Sequence, residues 1–331
     1  MFQGLANLGN TCSINTLIQC LGHCPSLLEF MLQKEIPIQK KEGRQYSIYL
    51  ELKQIFHQLW IENHSLAPHR FLKAFYESLG DLYTPGEQFD FTEMWMLLLN
   101  NLLEETHDPS FISAHQILRS YEVPIFSYLQ ENAQKTWTRF FQKTNSPLND
   151  VLYGMEIQQV ECTSCQHMYH NLEPIAFQYV ETHHGPHIGQ GLQKMLSQEP
   201  MNGWKCDECK KETGIRAIRF WKLPHIWILI LRRFNQTHKV LDPVDIPKEF
   251  TVEKGLEFCS LPDPNVSSIT YELKAIANHY GSLHGGHYNA VCKNKDEWCE
   301  YDDLSVTKIP NIETVLTQNR NAYVLFYERR N

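Results

Sequence analysis

No run of 18 apolar residues occurs in the 331-residue chain, and none is longer than Ile226 to Leu231, which is strand length. A helix crossing a bilayer needs about 20 such residues, so no membrane partner is expected. A cation excess is also missing. Thirty Lys and Arg against 38 Asp and Glu leave a net charge of −8, which argues against a nucleic-acid partner. Ten cysteines are too few for a disulfide scaffold. Internal repeats and low-complexity tracts are absent. Met1-Phe2-Gln3 runs straight into the first motif and leaves no room for a secretory leader. An intracellular location, cytoplasm and/or nucleus, is therefore expected. The chain is 42% hydrophobic, 12% aromatic and 21% charged, a globular composition long enough for a large core or two lobes.

The hydrophobic pattern changes character along the chain. Ile48, Leu52, Ile55, Phe56 and Leu59 make a helical stripe, and Pro68 suits the first turn of a helix through Phe71, Leu72 and Phe75. A further helix follows the Thr84-Pro85-Gly86 turn and carries Met94 to Leu103. From Leu152 the runs become short and β-like: Ile226–Leu231, Tyr271–Ala277, His287–Cys292 and Tyr323–Tyr327. Helices first and strands later predict an α+β chain with two lobes. Leu261 to Asn265 reads as a plain loop.

Two sets of cysteines stand out. After Cys12, Ile14, Leu17, Ile18 and Leu21 fall on one helix face, and Asn10 and Thr11 precede it as candidate caps. A thiol at a helix N-terminus meets unpaired N–H groups and the positive end of the helix dipole, both of which favour the nucleophilic thiolate. A buried packing role competes with that reading on spacing alone. The second set is Cys162-Thr163-Ser164-Cys165 and Cys206-Asp207-Glu208-Cys209. Two Cys-x-x-Cys pairs can close a tetrahedral Cys₄ shell around one structural Zn²⁺, and they suit a reducing compartment. Forty residues separate them, so a long β excursion is expected between. His183, His184 and His187, beside Gly185-Pro186, read as a polar loop and not as ligands.

The stretch Gly4-Leu5-Ala6-Asn7-Leu8-Gly9-Asn10-Thr11-Cys12-Ser13-Ile14-Asn15 resembles the Cys box of the ubiquitin-specific proteases, a family of deubiquitinating enzymes. Tyr271 to Ile276, His279-Tyr280-Gly281 and Gly285-Gly286-His287-Tyr288 resemble its His box, and Trp298 to Asp303 its acidic motif. The resemblance runs from Gly4 to about Tyr327 and implies a papain-like cysteine protease with thumb, palm and fingers. It implies residues 1–331 as one catalytic domain, with a helical thumb to about 145, zinc-binding fingers over about 155–215 and a palm over about 216–331 with parts of 146–180. It casts Cys12 as nucleophile, His287 as base and later acid, Asp302 as the group orienting the imidazole, and Asn7 with the Cys12 N–H as oxyanion donors. Asp303 is a neighbour that can share the role of Asp302. No catalytic cofactor is implied.

Glu87 to Met94 sits where the family carries Gln-Gln-Asp-Ala-His-Glu-Phe; Gln88, Asp90 and Glu93 match, while Phe89 and Thr92 depart. The resemblance places these acids against the basic tail of ubiquitin. It places Gly285, Gly286 and Tyr288 along a narrow passage for the terminal Gly-Gly, under a glycine-rich loop expected to close on substrate. Leu231-Arg232-Arg233-Phe234 matches a strand-end signature. The implied partner is ubiquitin or ubiquitinated proteins. A protease for a ubiquitin-like modifier and an inactive ubiquitin-binding module are the alternatives. Oligomeric state, target and chain linkage are not written in these motifs.

Overall fold

The computed structural model describes residues 2–39, 41–80, 90–113, 124–183, 185–235, 237–253, 268–282 and 285–330. Its first part is helical: α1 (Cys12–Gly22), α2 (Pro25–Gln33), α3 (Ile48–His57), α4 (His69–Leu79), α5 (Phe91–Glu105), α6 (Pro124–Phe140) and the single turn α7 (Asn149–Leu152). A π turn, Gln58–Glu62, extends α3. The expected stripe thus continues into a wider coil, and Leu59 stays buried on it. Pro68 stands one residue before α4, and the Thr84-Pro85-Gly86 turn lies outside the described residues.

Strands follow from Gly154. β1 (Gly154–Cys162), β2 (Met168–Ile175), β4 (Glu199–Met201) and β5 (Gly214–Lys222) form one sheet in the order β2-β1-β5-β4. β3 (Gln178–Val180), β6 (Ile226–Leu231), β8 (Ser268–Ser282), β9 (Gly285–Asn294), β10 (Glu297–Asp302), β11 (Ser305–Ile309) and β12 (Ala322–Arg329) belong to the larger sheet, ordered β11-β10-β9-β8-β12-β6-β3. β7 (Glu249–Glu253) adds to β8. Helices α8 (Ile188–Leu196) and α9 (Glu313–Leu316) complete the described elements. The fold is mixed α+β. The expected loop at 261–265 lies outside the described residues.

β6 reads as an unbroken apolar run because the larger sheet is covered on both faces. Ile226, Ile228 and Ile230 join the core under the helices. Trp227, Leu229 and Leu231 join a second core with Ile188, Leu192 and Leu196 of α8 and Val252 of β7. β12 divides in the same way, with Val324 and Phe326 in the first core and Leu325 and Tyr327 in the second.

The interval between the two cysteine pairs is not a continuous β excursion. The chain leaves the smaller sheet after β2, adds β3 to the larger sheet beside β6, forms α8, then returns through β4. Period-2 reading misses this because α8 is amphipathic and only nine residues long.

α1 is the central helix, with all eleven residues buried, including Ser13, Asn15, Thr16 and Gln19. It packs on β8, β9 and β10. Its far end is fixed by His23, whose Nδ1 lies 2.7 Å from the Gln19 carbonyl and whose Nε2 lies 3.0 Å from the Tyr301 hydroxyl. A carbonyl only accepts, so Nδ1 carries the proton and the Tyr301 hydroxyl donates to Nε2. Burial pushes the His23 pKa down to about 4, in keeping with a neutral ring.

Candidate active site

Cys12 opens α1 and is 5% exposed. The expected caps work differently from a simple N-cap. Thr11 turns its hydroxyl back to accept from the Leu8 N–H at 3.0 Å, and Asn10 takes a left-handed φ of 51°. The backbone at Tyr288, Ser13 and Cys12 itself pulls the thiol pKa down, in favour of thiolate. Burial works the other way and is the larger influence, the Asp303 carboxylate adds to it, and the net pKa is raised. The helix terminus therefore does not make the thiolate unaided, contrary to the expectation from position alone.

β9 packs on α1, and the backbone of Tyr288, one residue from His287, is among the influences that lower the thiol pKa. His287 lies near the start of β9, paired with Tyr280 of β8. Asp302 ends β10, the next strand in the sheet. His287 Nε2 and Asp302 Oδ1 are 2.6 Å apart, both side chains partly exposed. Gly286 was expected to be needed for close approach of a substrate. It is required by the protein itself: a Cβ there would collide with the Tyr280 carbonyl and the His279 ring.

Asp303 occupies the two-residue turn between β10 and β11 with φ of 51°. Its carboxylate accepts from Asn7 Nδ2 at 2.9 Å and from Asn15 Nδ2 at 2.7 Å. Its carbonyl accepts from the Leu5 N–H at 2.9 Å, and Gly4 packs so closely that a Cβ would strike Asp303 and Leu304. Asn7 also accepts from the N–H groups of Gly9 and Thr11, so it shapes its own loop while pointing its amide nitrogen at Asp303. Asn15 was overlooked as a site residue, although it is the Asn of the Cys-x-x-Asn pattern. Asp303 thus touches both arms of the site, the Cys box through two asparagines and the β10 turn through its backbone.

A cleft of about 590 Å³ opens beside Tyr288 and Gly285. Asp90, Tyr179, Arg232, His279 and Tyr323 line it as well. Asp90 caps α5 by accepting from the Thr92 and Glu93 N–H groups and also accepts from the Tyr323 hydroxyl at 3.0 Å. Glu93 stands exposed in the first turn of α5, away from the cleft lining. Gln88 and Phe89 lie outside the described residues. Thr92, one of the departures from the family pattern, lines the cleft with its hydroxyl 3.5 Å from Tyr323. Arg232 lies over the Tyr179 ring and pairs with Glu181 at 3.1 Å. Arg233, fully buried, gives its guanidinium to the carbonyls of Ala322, Val240, Asp242 and Asn319. His279 is held neutral, its pKa lowered to about 4 by burial and the nearby Lys239, against a smaller pull from Asp90.

The second cysteine set converges. One sulfur from each of Cys162, Cys165, Cys206 and Cys209 lies within 4.8 Å of the others. Cys162 and Cys209 are 3.5 Å apart, Cys165 and Cys206 3.7 Å. A tetrahedron with Zn–S of about 2.3 Å has S···S edges of about 3.8 Å. The two turns share one backbone form. Gln166 and Lys210 follow in left-handed φ of 60° and 62°, and their N–H groups return to the carbonyls of Cys162 and Cys206 at 2.8 and 2.9 Å. The donor set fits Zn²⁺ and leaves no open position for water. His187 stays out of this cluster and caps α8, His183 lies beside Glu181, and His184 is outside the described residues.

Residues 3–327 match the family model described as ubiquitin carboxyl-terminal hydrolase. The chain is similar to ubiquitin carboxyl-terminal hydrolase Usp2 of Drosophila melanogaster, at 26% identity over 98% of this chain and 34% of the relative. It is similar to ubiquitin carboxyl-terminal hydrolase 21 of Homo sapiens, at 25% identity over 98% of this chain and 61% of the relative. It therefore spans about a third to three-fifths of the length of these relatives. Among solved structures, a chain of the SAGA DUB module of Ubp8, Sgf11, Sus1 and Sgf73 bound to monoubiquitin matches with a TM-score of 0.74 at 20% identity, covering 99% of this chain and 69% of that one. With the Cys box, the His box and nearly the full length matched, the chain belongs to the ubiquitin carboxyl-terminal hydrolase family, as a member of the ubiquitin-specific protease type.

Proposed function

We propose that this chain is a deubiquitinating thiol protease that hydrolyses the bond after the C-terminal Gly-Gly of ubiquitin. One observation carries the reading: His287 Nε2 lies 2.6 Å from Asp302 Oδ1 on the adjacent strands β9 and β10, both of which pack against α1, the helix that Cys12 opens. Asp302 occupies Nε2, and Nδ1 has no hydrogen bond among the described residues. Nδ1 takes the thiol proton and the Cys12 sulfur attacks the glycyl carbonyl carbon. The Cys12 N–H and the second amide proton of Asn7 stabilise the oxyanion, while Asp303 spends the first holding that amide. His287 returns the proton to the leaving lysine amine, and water then hydrolyses the thioester. Asp90 and the Gly285–Tyr288 wall hold the tail of ubiquitin in the cleft; Gln88, Gly286 and Glu93, the last exposed outside the cleft lining, are proposed as further contacts with ubiquitin.

The helices to about 145 serve as thumb, the smaller sheet as fingers and the larger sheet as palm. Cys162, Cys165, Cys206 and Cys209 would hold one Zn²⁺ that ties the finger turns together. No helix among the described residues is long and apolar enough to cross a membrane; an intracellular site of action follows from the free thiols and the substrate. Thr92 at the cleft favours a second reading, a ubiquitin-like modifier as substrate. Hydrolysis of C-terminal amides of ubiquitin and of each ubiquitin-like modifier separates the two. Ubiquitin turned over fastest is the expected result, a faster modifier selects the second reading, and no turnover of any overturns both.

A further inference from the structure

The acyl cleft draws its residues from α5, β3, β6, β8, β9, β12 and the loop after β6. None comes from the loop before Cys12 or from the 303–304 turn. Those two segments are bound to one another by the Leu5–Asp303 and Asn7–Asp303 hydrogen bonds and by the close packing at Gly4. Within the bound stretches, Gly4 to Thr11 and the 303–304 turn, each carries one large apolar side chain into solvent. Leu8, next to Asn7, is 37% exposed, and Leu304, next to Asp303, is 56% exposed. A single exposed leucine is ordinary. Here two stand one residue from either end of the same hydrogen bond, beside a reactive cluster in which His287, Asp302 and Asp303 converge.

The chemistry says what covers them. Acyl transfer divides the substrate at the thiol, with the acyl chain on one side and the amine on the other. The cleft takes the acyl side. When the amine is a lysine on another protein, that protein must lie over the remaining rim. We propose that Leu8 and Leu304 form an apolar lip that contacts the leaving polypeptide and favours an apolar side chain beside the modified lysine. This rests on the deubiquitinating reading above.

Three substrates test it: ubiquitin ethyl ester, and ubiquitin joined through its C-terminus to the lysine of a short peptide with either Leu or Ser beside that lysine. The unaltered chain is expected to prefer the Leu peptide. Leu304→Asn should lower kcat/KM on the Leu peptide about fivefold, the scale of uncovering half a leucine. It should leave ester hydrolysis within about twofold, since the ethyl ester has no leaving polypeptide to lie on the lip. Leu304→Met should restore the preference, and Leu8→Asn should act like Leu304→Asn. An equal fall on all three substrates, or no Leu-over-Ser preference in the unaltered chain, overturns the lip. An unaltered chain inactive on the ester overturns the underlying enzymatic reading, a distinguishable result.

Discussion

Asp303→Asn is the perturbation whose consequences the structure specifies most fully. Asn tolerates the left-handed φ of 51°, so the turn between β10 and β11 keeps its shape. The change removes a charge and sets an NH₂ against one of the two amide nitrogens that now donate to separate carboxylate oxygens, Asn7 at 2.9 Å and Asn15 at 2.7 Å, leaving an uncharged acceptor for the other. A hydrogen bond to a charged group contributes about 1.5–3 kcal/mol, and partial exposure puts the loss here at about 1–2 kcal/mol. Because the Asp303 carboxylate raises the Cys12 thiol, its removal should move the thiol pKa down, not up. Yet kcat should fall about 10- to 100-fold, because a misplaced Asn7 no longer meets the oxyanion. The assay pairs kcat on a ubiquitin amide with the pH dependence of Cys12 alkylation in the same variant. A more acidic thiol in a slower enzyme is the expected pair. Unchanged kcat, or an alkylation profile moved to higher pH, refutes the role given to Asp303.

Asp302→Ala should reduce kcat by about 100-fold or more with KM little changed, because the imidazole loses the partner that fixes its tautomer; steady-state kinetics read this directly. Metal analysis should return one zinc per chain, and Cys206→Ser should lower zinc content and thermal stability together. Acid should destabilise the fold before it protonates most carboxylates. His23 and His279 have folded pKa values of about 4, below the roughly 6.5 of an unfolded histidine. The unfolded chain therefore binds more protons between pH 6.5 and 4, and stability is lost as pH falls through that window, by up to about 3 kcal/mol for the His23 ring and by less for His279, which lines the cleft. Melting temperatures from pH 7 to 4 test the sign; replacing His23 by Gln should flatten the curve.

Much of the local structure around the candidate site was legible because its residues sit in short local patterns. Cys12 at a helix start and Gly285-Gly286-His287 at a strand start fall where the hydrophobic pattern put them, while Asp302, singled out by resemblance alone, ends β10. The four strand runs lie within β6, β8, β9 and β12. What could not be read is non-local. Asn7 and Asp303 are 296 residues apart, and no periodicity reports that one side chain chooses the other. The acidity of Cys12 followed the same rule: a helix terminus is visible in sequence, whereas the burial and the carboxylate that outweigh it belong to the packed structure. Asp90 makes the same point: the sequence marks it only by resemblance, whereas its capping of α5 and its Tyr323 partner appear only in the structure.

Labelling by ubiquitin carrying a C-terminal electrophile, followed by peptide mapping, tests the central claim most directly. One ubiquitin per chain, attached at the Cys12 sulfur and absent from Cys12→Ala, is the predicted outcome. An adduct mapped to another cysteine, or undiminished labelling of the Cys12→Ala chain, contradicts the account.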